Sequence, residues 1–375
     1  MAAGEDRSAD VADVTDVTDV TVAQLGGEKQ LIERIKRRLA RVASSPALIL
    51  GIGDDAAAWR GYPAGLALAS VDMLVEGVDF AVSGPLAAAP RRVGWKAVAG
   101  SISDIAAMGG AARYVLVSLA LREDLAAAWF DRFWHGVAAA AGHFGVTVAG
   151  GDLSRAPAVV ADVAVWGEVP SDRLVTRGGA RPGDLLVATG QFGGSAAGMA
   201  AMRAHLPRAA GAGPAAPGAG PAALRRAVAR VVQRHLVPVP RLREGPLLAR
   251  HGARAMIDVS DGLAAAARSM AEAAGLGVEL DAGSVPVDPA AAIVAAALGA
   301  DPLAWALAGG EEYELAAALD PAALDEARGR LLGAGGAPLT VVGRFGPPGG
   351  GFVLRAPRRL DPEAVKGFDH FAGRG

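Results

Sequence analysis

The chain contains no cysteine, which excludes disulfides, iron–sulfur clusters and thiolate-bound zinc. Its six histidines (His135, His143, His205, His235, His251 and His370) include no pair four residues apart, so the usual helix-borne histidine metal site is missing too. Only four of the 37 basic residues are lysine and the formal net charge is −2, so neither a polyanion nor an acidic membrane surface is an evident partner. Apolar runs such as AAAIVAAALGA, 290–300, fall short of the roughly 20 residues that span a bilayer, and no basic-then-apolar signal pattern opens the chain. A cytoplasmic protein that binds neither nucleic acid nor membrane is the expectation.

Several ligand-binding signatures are absent as well. There is no G-x-x-x-x-G-K-[ST] loop, no EF-hand spacing and no G-x-S-x-G elbow. GIGDDA at Gly51–Ala56 fails the dinucleotide fingerprint, because acids stand where a pyrophosphate would meet repulsion. A nucleotide held here must be held through metals.

The 375 residues, 52% hydrophobic and 20% charged, suit a folded protein of two domains. Residues 1–22 read as a disordered acidic leader, DVADVTDVTDVT having no apolar stripe. Next comes EKQLIERIKRRLA, with Leu31, Ile32, Ile35 and Leu39 on one helical face. Strand-like runs at 48–52, 66–71, 114–121, 146–149 and 159–169 alternate with helical stretches at 91–108 and 125–143. A turn-rich boundary near Pro170 divides an N-terminal domain, 23–169, from a C-terminal α/β domain, 170–375. Within the latter, 208–223 is an Ala/Gly/Pro insertion. Strands and helices in irregular order predict the α/β (α+β) class, as two domains rather than one doubly wound sheet.

What is present in unusual places is acid. Asp54 and Asp55 (GIGDDAA), Asp72 (ALASVDML), Asp104 (SISDIAAMGG), Asp152 (AGGDLS), and Asp258 with Asp261 (MIDVSDGL) all sit in apolar or glycine-rich surroundings, mostly where a strand closes or a helix opens. Each alone reads as a cap or turn aspartate. Together they would leave several charges uncompensated, at several kcal/mol per bare buried ion. Divalent cations remove that cost, and all-oxygen ligation with room for water and phosphate selects Mg²⁺. The glycines of GIGDD, AMGG, VAGGD, TRGGARPGD and LAGGEE let the backbone approach an anion. Phosphoryl transfer to a phosphate acceptor suits this set: it needs charge neutralisation and alignment, not a protein base.

GIGDDAA, SVDMLVEGVDF, SISDIAAMGG, GGDLS, TRGGARPGD, IDVSDGL, GGEEYEL and KGFDHF occur in one order from about Gly26 to Phe371. In these blocks the chain resembles the thiamine-monophosphate kinase family, a relative of aminoimidazole ribonucleotide synthetase. The resemblance implies two α/β domains, an N-terminal sheet paired across a homodimer, and transfer of the γ-phosphate of ATP to thiamine monophosphate with several Mg²⁺ ions. By position, Asp55, Ser70, Val71, Asp72, Asp104, Asp152, Asp258 and Asp261 resemble the family's metal ligands, with Asp72, Asp104 and Asp261 at the reacting phosphates. Gly151, Asp152, Arg177 and Ser260 resemble its ATP contacts. Asp79, Glu311 and Phe368 fall at its acceptor-binding positions.

Five positions depart from the family pattern: Leu153 and Ser154 stand where threonines commonly follow GGD, Glu312 stands for the aspartate of GGEDYEL, and the other two bear on the site. Val71 replaces a threonine, at little cost if the carbonyl is the ligand. Asp79 replaces a histidine near the acceptor, which leaves metal and nucleotide binding intact but opens the alternative of a different phosphate or carboxylate acceptor. A non-catalytic nucleotide-binding dimer would have lost its metal carboxylates, and this chain keeps them.

Overall fold

The computed structural model describes residues 29–30, 32–33, 46–62, 65–84, 86–206, 220–356, 365 and 367. The leader, Phe368, and most of the Ala/Gly/Pro insertion lie outside them, as do Leu31, Ile35 and Leu39 of the first expected helix. The chain divides into one unit of Met1–Ala43 with Asp369–Gly375 and a second of Ser44–Phe368. In the first, Lys29, Gln30, Ile32 and Glu33 are helical.

The second unit contains two six-stranded sheets. The first is built from β1 (Leu48–Leu50), β2 (Ala57–Tyr62), β3 (Gly65–Val75), β4 (Ala111–Leu121), β5 (Thr147–Arg155) and β6 (Val160–Pro170), in the order β1-β2-β3-β6-β4-β5. All neighbours run antiparallel except β4 and β5. Period-two alternation decides which face is covered: Ala161, Val163, Val165 and Val169 of β6 are buried with Val115, Val117 and Leu119 of β4. Helices α1 (Pro90–Ala107) and α2 (Ala127–Phe144) supply that cover. Pro90 begins α1 with a preset φ, and Gly145 ends α2 in the left-handed conformation at φ 70°. The two helices cross closely because Gly136 has no side chain, since a Cβ there would fall 2.0 Å from the Arg91 carbonyl oxygen.

The opposite face of this sheet is open. Val71 (57%), Met73 (56%) and Tyr114 (49%) expose large apolar surface there, and β5, an edge strand, is exposed along most of its length.

The second sheet has the order β12-β9-β11-β7-β10-β8, from β7 (Leu185–Thr189), β8 (Ala253–Asp258), β9 (Val278–Asp281), β10 (Leu315–Leu319), β11 (Leu339–Phe345) and β12 (Phe352–Arg355). Its central strands β7 and β10 are buried throughout and apolar but for Thr189, as expected of strands covered on both sides. Leu186, Ala188, Ala316 and Ala318 pack with Leu263, Ala267 and Met270 of α6 (Leu263–Ala274). Leu185, Val187, Leu315 and Ala317 pack with Leu248 of α5 (Glu244–Arg250) and Leu331 of α9 (Leu324–Gly333). Beside the sheet stand α3 (Gly194–Arg203), α4 (Pro221–Leu236), α7 (Pro289–Leu298) and α8 (Pro302–Ala308). Asp288 and Asp301, each before a proline, are ordinary N-caps whose side chains accept from Ala290 N and Leu303 N. Helix α1 also packs against β8, which brings the two sheets' acids together.

Candidate active site

Asp55 lies in the loop between β1 and β2, Asp104 in the last turn of α1, and Asp258 at the end of β8. One carboxylate oxygen from each falls within 4.8 Å of the other two. Ser70 on β3 ties the group together: its hydroxyl lies 2.5 Å from Asp104 Oδ2 and 3.1 Å from the Asp55 carbonyl oxygen. Arg177 closes one side. Its Nε donates to Asp55 Oδ1 at 3.1 Å, its Nη2 pairs with the same oxygen, and its backbone N–H donates to Asp54 Oδ2 at 3.2 Å. Asp55 Oδ2 is buried and has no hydrogen-bond partner among the described residues.

The protonation equilibria report the crowding. Burial, opposed by Arg177 and reinforced by Asp258 and Asp54, pushes Asp55 up to about 8. Burial and then Asp72 and Asp261 raise Asp258 to about 7, with Ser103 and Arg177 pulling it back. Asp104 is held well above the usual carboxylate range by burial and by Asp72, Asp258 and Asp55. Asp72 is exposed as a whole residue, yet the protein packed around its carboxylate, and after that Asp261, Asp162 and Asp79, lift it to about 6. One arginine cannot neutralise this set. An orphaned carboxylate oxygen and hard oxygen donors converging from β3, α1 and β8 fit a divalent cation.

Asp152 and Gly151 do not join the cluster within one chain. They lie inside β5, which continues to Arg155, rather than at a strand end as the sequence suggests. Asp72 pairs with Val163, Val163 with Val117, and Val117 with Gly151, so the row from β3 to β5 crosses three strand spacings, about 14 Å. Val71, next to Asp72, turns its side chain to the open face. Asp79 caps a turn after β3, its Oδ2 accepting from Val75 N at 2.8 Å.

The segment LAGGEEYEL runs beside the cluster. Glu311 N donates to the Ser260 carbonyl at 2.6 Å and Tyr313 N to the Val259 carbonyl at 3.0 Å, stitching the segment to the SDG loop. Glu311 (φ 60°) and Tyr313 (φ 51°) are both left-handed, a conformation costing an L-residue on the order of 1–2 kcal/mol. The even positions anchor this strain. Glu312 accepts from Ser195 N and Arg234, while Glu314 accepts from Thr189 and Arg241. The odd positions face the site: the Glu311 carboxylate pairs with Lys96 of α1 and lies 3.3 Å from His235 Nδ1. A Cβ on Gly100 would lie 3.2 Å from the Tyr313 hydroxyl and 3.5 Å from Asp72 Oδ2, which puts Tyr313 between the Glu311 side and the acids. Lys96, His235, Tyr313, Arg234 and Arg241 escaped the sequence reading. Only Lys96 carried a signal, a lone charge inside the apolar helical run VGWKAVAG.

Comparison with known proteins places this geometry in a class. The N-terminal domain of AIR synthase related proteins matches residues 53–169, and the C-terminal domain of the same group matches 181–355. Thiamine-monophosphate kinase of Mycobacterium tuberculosis (strain H37Rv) is 37% identical over 78% of this chain and 80% of its own length. That of Escherichia coli K12 is 34% identical over 90% and 97%. The solved structure of AaThiL complexed with AMPPCP and TMP is 30% identical, covers 94% of this chain and 99% of its own, and superposes with a TM-score of 0.77. The chain belongs to the thiamine-monophosphate kinase family, within the AIR synthase related group.

Proposed function

We propose that the protein phosphorylates thiamine monophosphate to thiamine diphosphate with ATP, by direct phosphoryl transfer. The observation that carries the reading is the convergence of Asp55, Asp104 and Asp258 oxygens within 4.8 Å. It is supported by the likeness to a solved structure complexed with AMPPCP and TMP. Mg²⁺ held by these three with Asp72, Asp261, the Ser70 hydroxyl and the Val71 carbonyl would neutralise and align the phosphates. The guanidinium of Arg177, at the rim of the cluster, offers a fork of donors to phosphate oxygens, and Ser260 and Gly151–Asp152 complete the ATP contacts. Glu311, with Phe368 and Asp79, meets the acceptor. A phosphate acceptor is already nucleophilic, so no side chain has to remove a proton. Accordingly the buried histidine of this region, His235, serves Glu311 and not the metal cluster.

The working unit in this reading is a homodimer, paired through the open face of the first sheet, where Val71, Met73 and Tyr114 expose more apolar area than a monomer needs. The boundary between the metal-binding and C-terminal domains falls near Pro170, where β6 ends. No helix among the described residues is long and apolar enough to cross a membrane, and the cytoplasm is the proposed location.

The test is purified protein with Mg-ATP and thiamine monophosphate, scoring thiamine diphosphate by its fluorescent oxidation product. ADP release with another phosphate or carboxylate, and none with thiamine monophosphate, would favour the second reading, a family relative with a different acceptor. Asp79, an acid close enough to raise the Asp72 carboxylate, is the observation on its side.

A further inference from the structure

Lysine is rarely fully buried without a task. Lys96 is 2% exposed, in the second turn of α1. Its ammonium has three protons to donate, yet among the described residues it makes no hydrogen bond of good geometry. Among the described residues its one ion pair is to Glu311, whose side chain keeps 27% of its surface open. By contrast, the structural cations of this region are multiply bonded: Arg234 reaches Gln191 O and Glu312, and Arg241 reaches both oxygens of Glu314. Those two hold carboxylates that are themselves sealed. Lys96 holds one that is not.

Both oxygens of Glu311 are occupied from the protein side. Oε1 faces Lys96, and Oε2 faces His235 Nδ1, which also lies 3.1 Å from the Ser195 hydroxyl. The hydrogen bond of Nδ1 is with the Ser195 hydroxyl, so its approach to the carboxylate is a close polar contact. Eight residues further along the same helix stands Asp104, in the metal cluster. At 1.5 Å per residue the two side chains are rooted about 12 Å apart on one rigid rod.

From this geometry we propose that Lys96 is a positioning residue for the acceptor: it fixes the Glu311 carboxylate and balances its charge, so that α1 sets the distance between the metal cluster and the acceptor-binding carboxylate. The inference rests on the reading of Glu311 as an acceptor contact. Lys96 meets neither substrate; its effect passes through Glu311.

The test compares Lys96→Met in the natural chain and in a Glu311→Gln background. In the natural chain the change should raise KM for thiamine monophosphate about tenfold or more while KM for ATP moves less than about twofold, and Lys96→Arg should recover most of the loss. In the Glu311→Gln background the same Lys96→Met change should add less than about twofold, because the carboxylate it serves is gone. Equal effects in both backgrounds, or parallel shifts in both Michaelis constants, overturn the proposal. If Lys96→Met alone does not fold, the double variant decides: folding with the kinetics of Glu311→Gln supports the proposal, and failure to fold in both backgrounds overturns it. Melting temperatures need no substrate and test the pair separately from the function. The two single changes should each lower the melting temperature and together lower it by less than their sum, whereas additive losses sink the pairing even if the wild-type protein turns over thiamine monophosphate.

Discussion

The hydroxyl of Ser70 lies 2.5 Å from Asp104 Oδ2, joining a strand of the first sheet to the last turn of the helix laid across it. That contact fixes the one acid in the cluster that comes from a helix. Removing a charge here changes electrostatics without emptying space. Asp104→Asn and Asp72→Asn should each lower kcat at least about 10²-fold at saturating Mg²⁺, with circular dichroism unchanged. Near-normal turnover in both would remove the metal role from these residues.

Stability should depend on pH in a direction set by the same acids. Asp55 and Asp258, raised to about 8 and about 7, and Glu312, raised to about 7 by burial, hold protons in the folded chain that the unfolded chain has lost above the ordinary carboxylate range. The folded state therefore binds more protons than the unfolded one between these limits, and metal-free stability falls as pH rises through 7 to 8. Cation binding requires the ionised acids, so its stabilising effect grows with pH. Melting curves at pH 5.5 and 8.5, in chelator and in Mg²⁺, should show a falling melting temperature in chelator and a smaller or reversed fall in Mg²⁺. A metal-free protein that melts higher at pH 8.5 contradicts the burial of these acids.

Asp79 should tune acceptor binding rather than ATP. Its charge reaches Asp72, and its carboxylate also caps the turn after β3. If Asp79 lies beside the acceptor phosphate, Asp79→His should lower KM for thiamine monophosphate, and if it faces the cationic ring the same change should raise it, with KM for ATP unmoved in either case. A change confined to ATP or Mg²⁺ dependence would take Asp79 out of the acceptor site.

Arg234 should behave as scaffold. Its guanidinium reaches Glu312 at 3.0 Å and Asp288 at 3.6 Å, both fully buried acids. Arg234→Met strands them and should cost about 3–5 kcal/mol in urea unfolding. A loss below about 1 kcal/mol would mean that Arg241 and Arg230 compensate.

Much of this was legible from residues alone because acids in apolar surroundings are rare and have few explanations. Asp55, Asp104 and Asp258 were recognisable before any contact was known, and α1 and α2 came within about two residues of their expected ends, where Pro90 and Gly145 punctuate them. The partners of Glu311 were not legible. Lys96 and His235 belong to helices far from it in the chain, and no local pattern encodes which helices pack together. Nor was the separation of Asp152 from Asp72, which follows from strand order, a property of the whole sheet.

The left-handed turns at Glu311 and Tyr313 divide one short block of sequence between two jobs, anchoring and facing the site. Changes at Glu312 and Glu314 should be read out in expression level and solubility, since they loosen buried ion pairs. Changes at Glu311 and Tyr313 should be read out chiefly in which molecules are accepted, with a smaller loss of abundance than changes at Glu312 and Glu314 cause. A saturation library across these four positions, sorted once for abundance and once for turnover, would therefore separate into alternating columns, two for foldability and two for choice of acceptor.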